Sequence, residues 1–220
     1  MAVDRAPAGS IDCQIHVFGD PKKYPTDPKL RYTPPHAPIE VAAKMHAELG
    51  FERALITQTT AHGPDHRMLV DLLTANRDKY RGIALIDDRV SDQVISQLHE
   101  AGVRGTRFNL IKGFDAPTQR DMARVLDRIR DYGWVARFHV DSAAITELRD
   151  FLDCVKDPAV IDHLGRPDYS QSVDQPATRF ALDLLRSHPN WWILLSFGQD
   201  RKSTRLNSSH VSESRMPSSA

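Results

Sequence analysis

Residues 53–87 read RALITQTTAHGPDHRMLVDLLTANRDKYRGIALID. An apolar, β-branched run opens the stretch (RALITQT, 53–59), and a second one closes it (RGIALID, 81–87). Between them, DHRMLVDLLTANR spaces its apolar residues three and four apart, which gives a helix one apolar face, with Asp65 placed as N-cap. Two strands joined by a helix of this length form a parallel βαβ unit with a right-handed crossover.

The same unit repeats outward in both directions. IDCQIHVF (11–18) reads as strand one and is followed by a Pro-rich loop; helix one then spans 39–49, between Pro38 and Gly50. After residue 87 comes VSDQVISQLHEAG, a third helix capped by Ser91 and stopped by Gly102. VRGTRFN (103–109) is strand four, and a helix over about 117–132 leads to strand five, WVARFHV (134–140). SAAITELRDFLDCV forms helix five from Ser142, AVIDHL (159–164) is strand six, helix six spans about 175–187, and WWILLS (191–196) is strand seven. Strict alternation predicts an α/β fold, closed into a barrel or spread as a doubly wound sheet; the expectation is an incomplete (β/α)8 TIM barrel with strands one to seven present, a complete barrel taking ~250 residues.

The 220 residues, 40% of them hydrophobic, suit one substantial core. Lys plus Arg and Asp plus Glu both number 29, so no net field steers the chain toward nucleic acid. No apolar run approaches the ~20 residues that span a bilayer, and MAVDRAPAGS at the start lacks a signal-peptide core. Cys13 and Cys154 match no metal or disulfide spacing, which fits a reducing compartment, so a cytoplasmic location is expected.

Residues 1–199 are expected to form the barrel domain, and residues 200–220 a disordered tail foreign to it. DRKSTRLNSSH (200–210) resembles the in-frame translation of a sequencing-library adapter, and SESRMPSSA continues in the same manner. The coding DNA is therefore expected to leave the genomic sequence near the codon for Gln199; unchanged genomic sequence through Ala220 would refute this. A barrel that stops at strand seven leaves two unpaired edges, so the 220 residues alone are expected to fold poorly and lack activity.

Active sites of such barrels lie at the C-terminal ends of the strands. Those ends offer Gln14 and His16, Gln58 with His62 beyond it, Asp87, Arg104, Arg107, Asn109, His139, Asp162, His163, Arg166 and Ser196. Period two puts Gln14 with His16, and Arg107 with Asn109, while Arg104 is out of step with Arg107. Cys13 is expected in the core, Trp191 and Trp192 packed on strand seven, and His36, His46, His66, His99 and His188 solvated.

DCQIHVFG (12–19), TTAHGPDHRMLVDLL (59–73), GVRGTRFN (102–109) and VIDHLGRPD (160–168) together resemble the amidohydrolase superfamily. The nearest likeness is to its branch of 2-pyrone-4,6-dicarboxylate lactonases, sugar-acid lactonases and lactone isomerases. Metal-dependent members of the superfamily carry His-x-His on strand one, Lys or Glu on strand four and Asp on strand eight. Here Gln14 stands at the first histidine and Arg107 and Asn109 occupy strand four, so the resemblance implies the metal-independent branch and no cofactor.

The expectation is a hydrolase that opens a small carboxylated lactone with water activated by a general base, which the resemblance places on an Asp of strand eight. His16, His139 and His163 are the catalytic candidates; Gln14, His62, Arg104, Arg107, Asn109 and Arg166 are the substrate-binding ones. Guanidinium groups clamp carboxylates in bidentate fashion, and imidazole donors can polarise a carbonyl without a metal. Three alternatives stay open: a metal-dependent hydrolase or decarboxylase with one zinc at His16, His139 and His163, a lactone isomerase, or an inactive fragment. No nucleic-acid or membrane partner is expected, and the sequence leaves the oligomeric state open.

Overall fold

The computed structural model describes residues 5–28, 30, 32–113, 115–168 and 170–196; the expectation for residues 200–220 lies outside them. The chain divides into two compact units, Met1–Arg107 with Asp121–Val135, and Phe108–Arg120 with Ala136–Ala220. Seven strands alternate with helices and their order in the sheet follows chain order, the repeat of a (β/α)8 barrel with seven of its strands. Among the described residues no helix is long and apolar enough to cross a membrane.

Unit one holds β1 (Ile11–Ile15), β2 (Arg53–Thr57), β3 (Tyr80–Ala84) and most of β4 (Val103–Asn109). They pair in parallel and in sequence, with Ala54 opposite Tyr80 and Ile83 opposite Gly105. Helices α1 (Ile39–Leu49), α2 (Arg67–Ala75), α3 (Asp92–Ala101) and α4 (Gln119–Ile129) supply the apolar faces. Ile56 and Ile83 on the strands are fully buried, as are Leu69, Leu73, Ile95, Leu98, Met122 and Ile129 on the helices, each side chain worth about 1.5–3 kcal/mol in transfer free energy.

Local signals set the helix ends. Ser91 Oγ accepts the Val94 amide at the start of α3, as expected, and Gly102 ends it at φ 116°, a conformation costly for any side chain. At α2 the cap position falls on His66 instead, while Asp65 accepts the Arg67 amide.

Unit one departs from expectation on β1. A register shift between Asp12 and Ile15 interrupts the pairing with β2, and the strand ends at Ile15. Cys13 is exposed rather than core. His46, expected on a solvated face, is buried and donates from Nε2 to Asp12 Oδ2 at 3.1 Å, a pairing that α1 and β1 make across 34 residues of sequence.

Unit two holds the end of β4, nearly all of β5 (Val135–His139), then β6 (Ala159–Ile161) and β7 (Trp191–Ile193). The Leu110 amide donates to His139 O, and β5, β6 and β7 pair in parallel. Helices α5 (Ser142–Glu147), α6 (Arg149–Cys154) and α7 (Pro176–Ser187) cover them; the expected helix five is two helices that meet at Leu148. Phe138 stacks on Phe108 and Trp191 at ring distances of 5.5 and 5.4 Å. Trp192 alternates outward and is 54% exposed, so only one of the two tryptophans packs the strand.

Strand six is shorter than expected for a clear reason. His163, Leu164, Gly165 and Arg166 all take positive φ, at 52°, 58°, 71° and 44°. Only Gly165 does so without steric cost; each of the others costs about 1–2 kcal/mol. Such a run persists only where its surroundings over-determine it, and it recurs at functional sites.

Candidate active site

In unit one the end of β1 and the end of β2 fix each other. His16 Nδ1–H donates to Thr57 O at 2.9 Å, while Thr57 Oγ1 donates to Gln14 Oε1 at 3.0 Å. That turns the Gln14 amide nitrogen toward His16 Nε2, 3.5 Å away. Gln14 and His16 are therefore brought together, as their spacing predicts, and the imidazole presents a lone pair already faced by a donor.

Gln58, 1% exposed, uses both ends of its amide. Nε2 donates to the carbonyls of Gly63 and Asp65, and Oε1 accepts from the Leu85 amide at 3.1 Å and from His66 Nδ1–H at 2.8 Å. His66 is thus fastened by a side-chain hydrogen bond rather than solvated. Burial pushes its pKa below the ordinary histidine value, against the pull of Asp65 and Asp87. His66 also lines a groove of about 480 Å³ between α2 and α3, with Arg67, Asp71, Arg77 and Glu100 on its walls. The groove lies on the helix layer, away from the histidines expected to carry chemistry.

His62, expected at the site, is buried in the turn between β2 and α2, where Nδ1 lies 3.4 Å from Pro25 O. Its Nε2 has no hydrogen-bond partner among the described residues, a state that buried polar atoms rarely keep. Arg107 is buried on β4.

Arg104 corrects the sequence reading. It stands at the start of β4, the end opposite the one where active sites form, and Nη1 donates to His99 O and Val103 O at 2.9 and 2.7 Å. Period two sends it to the helix side, where it ties down the His99 carbonyl in the last turn of α3. Burial and the neighbouring Arg81 guanidinium lower its pKa. His99 on the same helix end accepts from Trp134 Nε1 at 3.0 Å.

Unit two gathers the remaining candidates. His139 Nδ1–H donates to Asn109 Oδ1 at 3.1 Å, and Arg166 Nη1 lies 3.4 Å from His139 Nε2. The His163 ring stands edge-on to that of His139, 5.4 Å between centroids, with its Nδ1 2.8 Å from Ser196 Oγ. Asn109, His139, His163 and Arg166 are thus one cluster.

Three devices hold it. The Leu164 amide donates to Leu194 O at 3.0 Å, which binds the left-handed turn to the chain after β7. Beneath the turn, Arg137 Nε donates to Asp162 Oδ1 at 2.8 Å in an ion pair with side chains 3% and 0% exposed. Ser142 Oγ donates to Arg166 O, and Gln175 receives the Asp168 amide and returns a bond to Asp168 O. Sequence reasoning missed Arg137, Ser142 and Gln175. Arg137 did carry a signal, a charge two residues before His139 on an otherwise apolar strand.

Zinc does not fit these donors well. The lone pair of His16 faces the Gln14 amide and that of His139 faces a guanidinium cation, whereas a zinc ligand offers its lone pair to the metal. No group of three or more His, Cys, Asp or Glu among the described residues is arranged to hold a metal ion.

Fold and cluster together define an amidohydrolase-type barrel, and comparison with known proteins agrees. A family model described as Amidohydrolase matches residues 11–215, and the chain belongs to that family. It is 36% identical over 193 residues to the 2-pyrone-4,6-dicarboxylate hydrolase of Comamonas testosteroni, covering 87% of this chain and 63% of that protein. It is 33% identical over 197 residues to the 4-sulfomuconolactone hydrolase of Hydrogenophaga intermedia, covering 89% and 64%. The chain thus spans less than two thirds of the length of these curated relatives. Among solved structures, a putative 2-pyrone-4,6-dicarboxylic acid hydrolase from Pseudomonas putida matches with TM-score 0.74 and 28% identity, over 92% of this chain and 72% of the other.

Proposed function

We propose that the protein hydrolyses a small carboxylated lactone, without an essential metal. The carrying observation is the unit-two cluster, where the Arg166 guanidinium stands beside His139 and His163 at the end of β5 and in the turn after β6. A guanidinium there suits the substrate carboxylate, and an imidazole N–H suits the oxyanion that forms as water adds to the lactone carbonyl. The names of the two relatives join a lactone ring to carboxylate or sulfonate groups, which is the same pairing of needs.

Water activation is assigned by family resemblance to an Asp on strand eight. Three carboxylates of unit two serve elsewhere: Asp162 pairs with Arg137, Asp141 caps α5, and Asp168 accepts from Ser170.

The test is to incubate the full-length protein, with the strand-eight Asp that the resemblance implies, with 2-pyrone-4,6-dicarboxylate and follow loss of the ring, with and without a chelator. Ring opening that chelator leaves unchanged supports the proposal. An absence of ring opening overturns it. Stoichiometric zinc with activity abolished by chelator would favour the metal-dependent reading, and a product that stays cyclic would favour an isomerase.

A further inference from the structure

The three candidate histidines differ in what their ring nitrogens face. His16 Nδ1 faces the Thr57 carbonyl, which can only accept, so the neutral ring carries its proton on Nδ1 and a lone pair on Nε2. His139 Nε2 faces the Arg166 guanidinium, which can only donate, so this ring too is Nδ1-protonated, in accord with its bond to Asn109 Oδ1. Neither ring, when neutral, has an Nε2–H to offer a carbonyl oxygen. His163 Nδ1 instead faces the Ser196 hydroxyl at 2.8 Å. A hydroxyl both donates and accepts, so it can give its proton to Nδ1 and leave the hydrogen of the neutral ring on Nε2.

We propose that Ser196 is a positioning residue for the imidazole donor of the proposed function, holding neutral His163 in the Nε2–H form in which it can donate to the lactone carbonyl oxygen. The assignment of the carbonyl rests on the proposed function; the tautomer does not. Backbone geometry supports the pairing. The left-handed turn swings His163 toward the chain after β7, and the Leu164 amide bond to Leu194 O fixes their approach two residues before Ser196. A carbonyl or carboxylate partner at Nδ1 would have forced the opposite tautomer. In this role Ser196 forms no bond to substrate.

The test uses the full chain with 15N-labelled histidine, assigned through a His163→Gln variant. Long-range proton–nitrogen correlation above the ordinary histidine range should show His163 with Nε2 protonated and Nδ1 as a hydrogen-bonded acceptor. In Ser196→Ala the Nδ1 resonance should move toward that of an unbonded imidazole nitrogen, and Ser196→Thr should restore it. Where the lactone is hydrolysed, Ser196→Ala should lower kcat on the order of 10- to 100-fold with little change in KM, and Thr should recover most of it. A neutral His163 protonated on Nδ1 in the unsubstituted protein would overturn the proposal, and that measurement needs no variant of Ser196. So would a covalent adduct on Ser196 after reaction with a fluorophosphonate, because it would make the serine a nucleophile. If no lactone is opened, the proposed function fails while the resonances still decide the tautomer.

Discussion

Arg137 and Asp162 form a buried ion pair at the base of unit two, with Nε 2.8 Å from Oδ1 and the two side chains 3% and 0% exposed. Asp162 is the last residue before the four with positive φ, so the pair anchors the turn that carries His163 and Arg166. Asp162→Ala should cost about 3–5 kcal/mol, because it leaves a buried guanidinium without its counter-charge. Urea unfolding measures this; a loss under 1 kcal/mol would show that the pair does not anchor the turn. Arg137→Met with Asp162→Leu should recover much of the stability but little of the activity.

Gln58 joins β2, β3 and the turn before α2 through one side-chain amide. Gln58→Leu keeps the volume and removes every partner, at a cost on the order of 1–3 kcal/mol for each buried group left unpaired. Hydrogen exchange at the Leu85 amide should accelerate in this variant, and an unchanged rate would count against the hub.

His66 makes stability depend on pH. Its folded pKa lies below the ordinary 6.5 through burial, so as pH falls through about 6.5 the unfolded chain takes up the proton first. Stability should therefore drop from near pH 6.5 and level off once the folded ring is also protonated. Urea midpoints measured across this range for the protein and for His66→Asn should differ in slope; parallel curves would refute the assignment.

Arg166 and Arg104 should behave oppositely. Arg166→Ala removes a charged donor from the cluster, so KM for a carboxylated lactone should rise roughly 10- to 100-fold. Arg166→Lys should recover only part of it, since a point charge does not reproduce the guanidinium fork. Arg104→Ala should leave kcat and KM unchanged and cost about 1 kcal/mol through the α3 carbonyl. A KM increase in Arg104→Ala would restore the residue to the substrate site.

Much of the fold was legible because burial patterns repeat with a period. Alternating strands and amphipathic helices predicted each βα unit, and Ser91 and Gly102 marked α3 at both ends. The signal failed where backbone geometry left its regular path. The pairing of β1 is irregular and Cys13 on it is exposed, and the left-handed turn ended β6 at Ile161 rather than Leu164. His46 and His66 looked solvated because their partners, Asp12 and Gln58, are 34 and 8 residues away in sequence.

The sequence by itself determined the order of elements, the family and the residue types at the strand ends. Hydrophobic periodicity and short motifs are local properties, and they survive in a one-dimensional reading. Only the tertiary structure decided which of those residues meet and which groups they face. Arg104 and Arg166 carry the same charge, yet one ties down a helix end and the other stands at His139. His16, His139 and His163 are the same residue, yet their ring nitrogens face a carbonyl, a guanidinium and a hydroxyl. A hydrogen bond is fixed by distance and direction between groups remote in the chain, and neither exists before the chain is folded.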